Sequence, residues 1–119
     1  IAHQAPTIFG DGEQSRDFTY VEDVAGLCIK ASKAPAALVS GKTYNAGNGG
    51  RYTLNETWRI LCGLEGVSID PLYGPERAGD VKHSQADTTA AARDLGHAPR
   101  FSYEEGLRRT LAWYRASQA

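Results

Sequence analysis

The stretch that most constrains this chain is RAGDVKHSQAD, at residues 77–87. An earlier stretch, GDGEQSRDF at residues 10–18, has the same ingredients, an arginine close to glycines and to a carboxylate. Guanidinium groups bind phosphate oxygens in bidentate geometry, and a carboxylate such as Asp80 can accept hydrogen bonds from sugar hydroxyls. The two stretches therefore predict that Arg16 and Arg77 together bind one pyrophosphate that carries a ribose.

Length and charge limit the classes of protein that this chain can represent. A chain of 119 residues suits one modest domain, which we expect to cover residues 1–119. The net charge is -1 and the signs are mixed, which excludes the broad cationic surface that nucleic acid or an anionic membrane needs. No apolar run reaches membrane-spanning length and no secretory leader pattern opens the sequence, so we expect a cytoplasmic protein.

The cysteines give no sign of a disulfide framework or of a metal site. Cys28 and Cys62 are the only two, and both fall inside helix-like patterns without metal-ligand spacing. We therefore interpret both as buried thiols.

The strand-like segments alternate with helical patterns, which predicts an α/β fold. Strands are expected at residues 6–9, 18–21 and 42–46, with a further extended segment at 67–73. Glycine turns follow at residues 10–12 and 47–50.

Helices are predicted from apolar spacing and from caps. Apolar residues recur at helical spacing over residues 21–34, and a last helix is expected at 103–116. Thr53 and Glu56 form a capping box that starts another helix, and Asp87 is placed to cap a short one that ends near residue 95. A second capping box is predicted at the start of the last helix, from Ser102 and Glu105.

Three segments of this sequence resemble a known enzyme family in the same order. They are GDGEQSRDFTYVEDV at residues 10–24, YNAG at 44–47 and RAGDVKHS at 77–84. They look like the C-terminal, substrate-binding half of NAD-dependent sugar-nucleotide epimerases and dehydratases, which are extended short-chain dehydrogenase/reductase enzymes. UDP-glucose 4-epimerase and UDP-N-acetylglucosamine 4-epimerase are the nearest types. The implied fold is a small α/β lobe without the Rossmann dinucleotide lobe.

The resemblance implies roles for the charged residues. The arginines that match Arg16 and Arg77 contact the diphosphate of a nucleotide sugar in the family. The acid that matches Asp80 holds the ribose hydroxyls. The implied ligand of this chain is therefore a UDP-sugar.

The resemblance also implies where the base and the hexose lie. In the family, the strand that matches Ile8 and Phe9 lies along the base, and the position that matches Ser84 lies near the hexose. A small residue there leaves room for an N-acetyl group, so Ser84 favours an acetamido sugar.

The departures from the family concern the cofactor and the chemistry. The sequence has no Gly-x-x-Gly-x-x-Gly turn for the NAD pyrophosphate, and none of its six tyrosines is followed by lysine at Tyr-x-x-x-Lys spacing. We therefore expect no cofactor for this chain alone, although NAD serves the full-length family. No catalytic residue is assigned, and the chain is expected to be inactive alone.

Simpler interpretations of the same residues remain open. Arg16 could form a surface ion pair with Asp17, and Arg77 could pair with Glu76 or Asp80. A nucleophilic pair of neighbouring residues, such as histidine and serine at 83 and 84, is disfavoured because they point to opposite faces of an extended segment.

The two tryptophans are expected to serve packing. Trp58 and Trp113 are interpreted as core or interface anchors, and not as platforms for base stacking.

The expected partners follow from the small size of the unit. Uncovered sheet edges and apolar helix faces favour self-association, so we expect a homodimer, with exchange of an element between the copies as one form of it. Two alternatives to a UDP-sugar-binding segment are open: a split-enzyme subunit completed by a separate NAD-binding chain, and an oligomerising interaction module.

Overall fold

The structure is a computed structural model that describes residues 4–117. Its helices and strands follow in the order β1 (Thr7–Phe9), β2 (Ser15–Arg16), α1 (Val21–Lys33), α2 (Ala36–Val39), β3 (Tyr52–Thr53), α3 (Leu54–Glu65), β4 (Leu72–Gly74), α4 (Thr89–Leu95) and α5 (Tyr103–Ser117). The predicted α/β class is confirmed.

The strands form two short pairs. β1 and β4 are parallel, with Ile8 opposite Tyr73. β2 and β3 are antiparallel, with Ser15 opposite Thr53, and on its other side Ser15 forms a parallel bridge with His83. β2 therefore lies between β3 and the segment that carries the second arginine motif.

The helix predicted at residues 21–34 is confirmed as α1, but the strand predicted at 18–21 is wrong. The carbonyl of Tyr20 already accepts hydrogen bonds from the amides of Asp23 and Val24, so the first helical turn begins there. The rings of Phe18 and Tyr20 pack edge or face against aromatic rings near α5, and not against a neighbouring strand. Aromatic packing replaces the β ladder that alternation suggested.

The strand predicted at residues 42–46 is also wrong. This segment has no regular structure, and its side chains attach it to α4. Tyr44 Oη donates to Asp94 Oδ2 over 3.0 Å, and Asn45 Nδ2 donates to the carbonyl of Asp87 over 3.0 Å. Side-chain hydrogen bonds, and not a backbone ladder, therefore hold residues 42–46 in place.

The capping box that begins α3 is confirmed. Thr53 Oγ1 accepts from the amide of Glu56 over 3.1 Å, and the Glu56 carboxylate accepts from the amide of Thr53 over 2.7 Å. These bonds lower the pKa of Glu56. The helix ends at Gly66 in the left-handed conformation, with φ of 68°, which ordinary residues adopt only with strain.

The chain between α3 and α4 is less regular than expected. Of the extended segment predicted at residues 67–73, only the end belongs to a strand, because β4 begins at Leu72. Earlier in the segment the carbonyl of Ile69 accepts from Trp58 Nε1 over 2.7 Å, which turns the chain against α3.

The caps of the last two helices differ from the prediction in detail. The residue that caps α4 is Thr88, one position after Asp87. The Asp87 carboxylate still accepts from the amide of Thr89 over 2.9 Å, and this bond lowers the pKa of Asp87. In α5 only half of the capping box forms, because Glu105 accepts instead from arginines one turn further along the helix.

The main core lies between α1 and α4, around the buried residues Leu27, Ala91 and Leu95. Cys28, next to the buried Leu27, is exposed, so the interpretation of both cysteines as buried thiols is wrong. Cys62 is half-buried.

A second packed region is aromatic. The ring of Tyr103 at the start of α5 stacks between those of Tyr52 and Phe18, at centroid distances of 4.0 and 5.3 Å. Burial raises the pKa of the Tyr103 hydroxyl, which bonds to Thr57 Oγ1 at 2.7 Å. At the other end of α5, Trp113 is 64% exposed, so of its two predicted roles that of a core residue is wrong, and that of an interface anchor stays a prediction.

Among the helices described between residues 4 and 117, none combines the length and the apolar character needed to cross a membrane.

Candidate functional site

The strand β2 places Arg16 beside the second arginine motif. Arg16 Nη1 donates to the carbonyl of Ser15 over 2.8 Å, and Nη2 donates to Asp80 Oδ1 over 2.5 Å. The guanidinium is thus fixed at its own strand and at the motif 64 positions away. The surface ion pair that the sequence suggested for Arg16 was with Asp17, but its partner in the structure is Asp80.

Asp17 holds a loop and does not form an ion pair with Arg16. Its two carboxylate oxygens accept from the amides of Asn48 and Gly49 over 2.9 and 3.1 Å. The predicted glycine turn at residues 47–50 is therefore fastened to the end of β2. Because the Asp17 carboxylate is used by this loop, Arg16 is free to pair with Asp80.

A tight turn places Arg77 close to Asp80. The amide of Asp80 donates to the carbonyl of Arg77 over 3.2 Å, and Gly79 has φ of 80°, a conformation that glycine adopts without strain. The Arg77 guanidinium lies 4.2 Å above the centre of the Phe9 ring. This is a cation–π contact, and such a contact uses no hydrogen-bond donor of the guanidinium, whose N–H groups stay available for an anion.

These residues border a groove between the β1–β2 turn and the segment at residues 76–82. The groove has a volume of about 150 Å³ and is lined by Phe9, Gly10, Asp11, Gln14, Glu76, Arg77, Asp80 and Lys82. A neighbouring, more apolar cleft of about 300 Å³ shares Phe9, Arg77 and Asp80 with it and also includes Ile8. Four of the six residues predicted to bind ligand line these clefts. Arg16 lines neither of them and is joined to the group through its ion pair with Asp80.

The sixth residue, Ser84, lies beside β2 and outside the linings of both clefts. Its amide donates to the carbonyl of Ser15 over 3.0 Å, and its side chain is exposed. The neighbouring His83 turns the other way, and its Nδ1 lies 2.8 Å from Ser15 Oγ. The His83 ring is thus hydrogen-bonded to Ser15 and not to Ser84.

Sequence reasoning missed an ion pair between two residues that line the groove. Lys82 Nζ donates to both carboxylate oxygens of Asp11 over 2.6 Å each. The pair lowers the pKa of Asp11, helped by the Glu13 amide, and raises the pKa of Lys82. The two residues lie 71 positions apart, and no spacing in the sequence indicates that they meet.

Gln14 was missed as well. It is buried, and its Nε2 donates to the carbonyl of Phe9 over 2.7 Å. This bond holds the end of β1 across the turn that leads into β2. The exposed ring of Phe9 is therefore presented on a fixed backbone.

Charge in the groove is balanced and not simply cationic. Two cations, Arg77 and Lys82, face three carboxylates, those of Asp11, Glu76 and Asp80. Lys82 is engaged by Asp11, whereas Arg77 is engaged through its stacking face. Arg77 is thus better placed than Lys82 to meet an anion from solvent.

Sequence and fold both match one enzyme family. A sequence model of the NAD dependent epimerase/dehydratase family matches residues 1–47. The UDP-glucose 4-epimerase of Mycolicibacterium smegmatis is 32% identical over 115 residues, which are 97% of this chain and 36% of that protein. Over nearly its whole length the chain is similar to members of the NAD-dependent epimerase/dehydratase family.

Solved structures extend the match to three dimensions. UDP-glucose 4-epimerase from Thermotoga maritima, solved with UDP-glucose, has a TM-score of 0.89 and 35% identity over 98% of this chain and 36% of that one. UDP-N-acetylglucosamine 4-epimerase from Methanobrevibacter ruminantium M1, in complex with UDP-N-acetylmuramic acid, has a TM-score of 0.85 and 34% identity over 96% and 36%.

The chain spans about a third of the length of the family members it matches. It corresponds to the C-terminal part of an epimerase/dehydratase, a small α/β fragment of an extended short-chain dehydrogenase/reductase. The resemblance seen in the sequence is thereby confirmed.

The described residues do not fit the NAD on which this family depends. An NAD pyrophosphate is bound where a glycine-rich turn leads directly into the start of a helix. Within residues 4–117, the turn at 10–12 leads into β2 and the turn at 47–50 leads into β3. The start of α3 is closed by its own Thr53 and Glu56.

Proposed function

We propose that this chain supplies the nucleotide-sugar-binding surface of an NAD-dependent epimerase or dehydratase, with a UDP-sugar as its ligand. The observation that carries the proposal is the convergence of Arg16, Asp80 and Arg77 beside the exposed ring of Phe9. These residues come from motifs that are far apart in the sequence.

The two arginines suit the diphosphate. Arg16 is held at Nη1 and Nη2 by groups of the protein, which fixes its orientation before a ligand arrives. Arg77 is held by its face on the ring of Phe9 and presents N–H groups along its edge. Charge-assisted bonds from both arginines to phosphate oxygens are the strongest contacts that this surface can offer.

Asp80 and Phe9 suit the nucleoside. The Asp80 carboxylate is 40% exposed, and the oxygen that does not face Arg16 can accept from ribose hydroxyls. The ring of Phe9 is 37% exposed at the end of β1, where a base can lie along the strand. Ile8 is buried at 7% exposure, so its contribution is backbone and the support of β1.

Ser84 suits the sugar end of the ligand. Ser84 comes two residues after Lys82, which lines the groove, and its side chain is small and exposed. A bulky residue there would occupy the space that an acetamido group needs. We therefore propose a preference for UDP-N-acetylglucosamine over UDP-glucose.

We propose that catalytic turnover requires residues that this chain does not supply. The proton transfers of the family require a tyrosine and a lysine at Tyr-x-x-x-Lys spacing, which residues 1–119 do not contain. We propose that these residues form one substrate-binding domain that is inactive alone. The homodimer and the separate NAD-binding chain stay predictions, which light scattering and co-purification can test.

A two-dimensional amide NMR titration with UDP-N-acetylglucosamine tests the proposal. We expect saturable shifts near residues 9, 16 and 77–84, with a dissociation constant that reaches millimolar because one surface closes only part of a pocket. Arg16→Ala and Arg77→Ala should each weaken binding by about tenfold to a hundredfold, the effect of losing about 1.5 to 3 kcal/mol of charged hydrogen bonding.

The control is Lys42→Ala, which removes another exposed cation at the α4 side of the fold. It should leave the affinity unchanged. A folded wild-type spectrum without shifts, or equal affinity in the wild type and both arginine variants, would contradict the proposed function.

A further inference from the structure

Three side-chain contacts fasten the motif segment at residues 77–82 to the β1–β2 region. Arg77 stacks on Phe9, Asp80 pairs with Arg16, and Lys82 pairs with Asp11. Every residue of this segment is exposed. Backbone pairing to β2 begins only at its end, where the Lys82 carbonyl accepts from the amide of Ser15 over 2.8 Å.

Two of these contacts involve groups that the proposed ligand uses. A diphosphate draws on the donors of Arg16 and Arg77, and a ribose draws on Asp80. The contacts of these residues within the protein are therefore exchanged or shared when the ligand binds. The pair between Lys82 and Asp11 is the one contact of the three whose two charged groups the proposed ligand does not use.

Asp11 is a firm anchor for this pair. Its Oδ1 accepts from the amide of Glu13 over 2.9 Å, and its carbonyl accepts from Asn55 Nδ2 over 3.0 Å. The amide of Asn55, in the first turn of α3, donates to the carbonyl of Gly12 over 3.1 Å. The turn that carries Asp11 is thus tied to the start of a capped helix.

We propose that Lys82 is a positioning residue for the diphosphate site. Its ion pair with Asp11 holds the turn at residues 77–80 at a fixed distance from Arg16, so that both arginines reach one ligand. The inference rests on the proposed function, because it assigns the purpose of the pair to that same site.

Direct contact between Lys82 and a phosphate is the competing role, and the surroundings of Lys82 disfavour it. Both oxygens of Asp11 already lie 2.6 Å from Nζ. The carboxylates of Glu13 and Glu76 also act on its charge. An incoming anion would meet a net negative neighbourhood there.

A double-mutant cycle on UDP affinity separates the two roles. We expect Lys82→Met and Asp11→Asn each to weaken UDP binding about threefold to fivefold, the size of an exposed ion pair, and the double variant to lose no more than either single one. Lys82→Arg, which keeps the charge, should bind close to the wild type. Asn keeps an oxygen for the amide of Glu13, so the turn itself survives Asp11→Asn.

The sign of the Asp11→Asn effect decides between positioning and direct contact. Tighter UDP binding in Asp11→Asn would show that freed Lys82 meets the phosphate itself, and would overturn the inference. Unchanged affinity in both single variants would overturn it as well. Lys42→Met is the matched control, since Lys42 is 47% exposed against 49% for Lys82 and also pairs with a carboxylate.

A readout without ligand keeps this inference separate from the proposed function. The ¹⁵N heteronuclear NOE of Gly79 and Asp80 should fall in Lys82→Met and in Asp11→Asn, with unfolding midpoints close to the wild type. If wild-type protein fails to bind UDP, the proposed function is wrong. The NOE values still test whether the pair between Lys82 and Asp11 holds the turn at residues 77–80. Unchanged NOE values in both variants would then refute it.

Discussion

Arg16 and Asp80 meet over 2.5 Å although 64 positions separate them in the sequence. Their side chains are 29% and 40% exposed, so the pair is open to solvent and to ligands. An anion that approaches Arg16 must therefore share it with a carboxylate that is already there. We therefore predict that Asp80 discriminates against anions that offer it no hydrogen-bond donor in return.

Asp80→Asn should change the affinities for pyrophosphate and for UDP in opposite directions. Pyrophosphate has no hydroxyl for Asp80, so loss of the competing charge should strengthen its binding about threefold. UDP should bind more weakly, because an amide oxygen accepts from ribose hydroxyls less strongly than a carboxylate. Parallel NMR titrations with the two ligands measure both constants.

Asp87→Asn is the matched control for this prediction. Asp87 follows in the same part of the chain, and its carboxylate bonds to the amide of Thr89, a bond that asparagine can also make. The control should leave both affinities unchanged. If Asp80→Asn weakens pyrophosphate and UDP alike, Asp80 positions Arg16 and does not compete with the anion.

The carboxylate of Asp94 should make the stability of the fold sensitive to acid. Its side chain is only 6% exposed, and it accepts from Arg93, Tyr44 and Lys42. These bonds, that from Arg93 first, hold the pKa of Asp94 well below its ordinary value of 3.8. Because the folded pKa is lowered, the stabilisation is complete above pH 3.8 and is lost as the pH falls towards the folded pKa.

Asp94→Asn therefore should lower the thermal unfolding midpoint at pH 7, followed by circular dichroism. The difference between wild type and variant should shrink as the pH is lowered below the ordinary aspartate range, because the wild-type carboxyl also loses its charge there. A constant difference from pH 7 to acid would show that Asp94 acts through its shape and not through its charge.

Leu27→Ala should be strongly destabilising. Leu27 is 6% exposed in the core between α1 and α4, and its truncation leaves a cavity beside Ala91 and Leu95. We expect a loss of about 2 to 5 kcal/mol in the free energy of unfolding, measured with urea. Ile29→Ala, at a 54% exposed position of the same helix, is the control and should cost under about 1 kcal/mol. Similar losses in both would argue against this core.

The elements that the sequence predicts well are those fixed by local chemistry. The capping box of Thr53 and Glu56 joins residues three positions apart, so its pattern and its geometry agree. The strand expected at residues 42–46 failed because Tyr44 bonds to Asp94 in α4 and Asn45 bonds to Asp87 just before that helix, both far along the chain. Alternation alone carries no information about such a partner.

In the candidate site, too, the local contacts are predictable from the sequence and the contacts between distant segments are not. Arg77 and Asp80 share one turn, and the glycine between them makes their proximity predictable. The contact of Arg77 with Phe9 depends on the register between β1 and β4. The pairing of Lys82 with Asp11 depends on the register between β2 and the segment around His83. Those registers are set by packing over the whole fold.

Gly47→Ala should destabilise the loop that Asp17 fastens to β2. A Cβ at residue 47 would lie 2.6 Å from both Ala86 Cβ and Asp17 Oδ2, far inside van der Waals contact. Relief requires a backbone shift, because the methyl of Ala86 cannot rotate away. We expect a loss of about 1 to 3 kcal/mol in the free energy of unfolding, measured by urea titration.

The control for this substitution is Gly63→Ala in α3, where an added Cβ meets nothing within 4 Å. It should be neutral or stabilising by up to about 1 kcal/mol, because alanine favours a helix interior over glycine. Opposite signs for the two variants would locate the cost of Gly47→Ala in the contact with Asp17 and Ala86. Equal unfolding free energies would instead mean that residues 47–49 can move away from Asp17 without loss, and that its bonds to Asn48 and Gly49 contribute little.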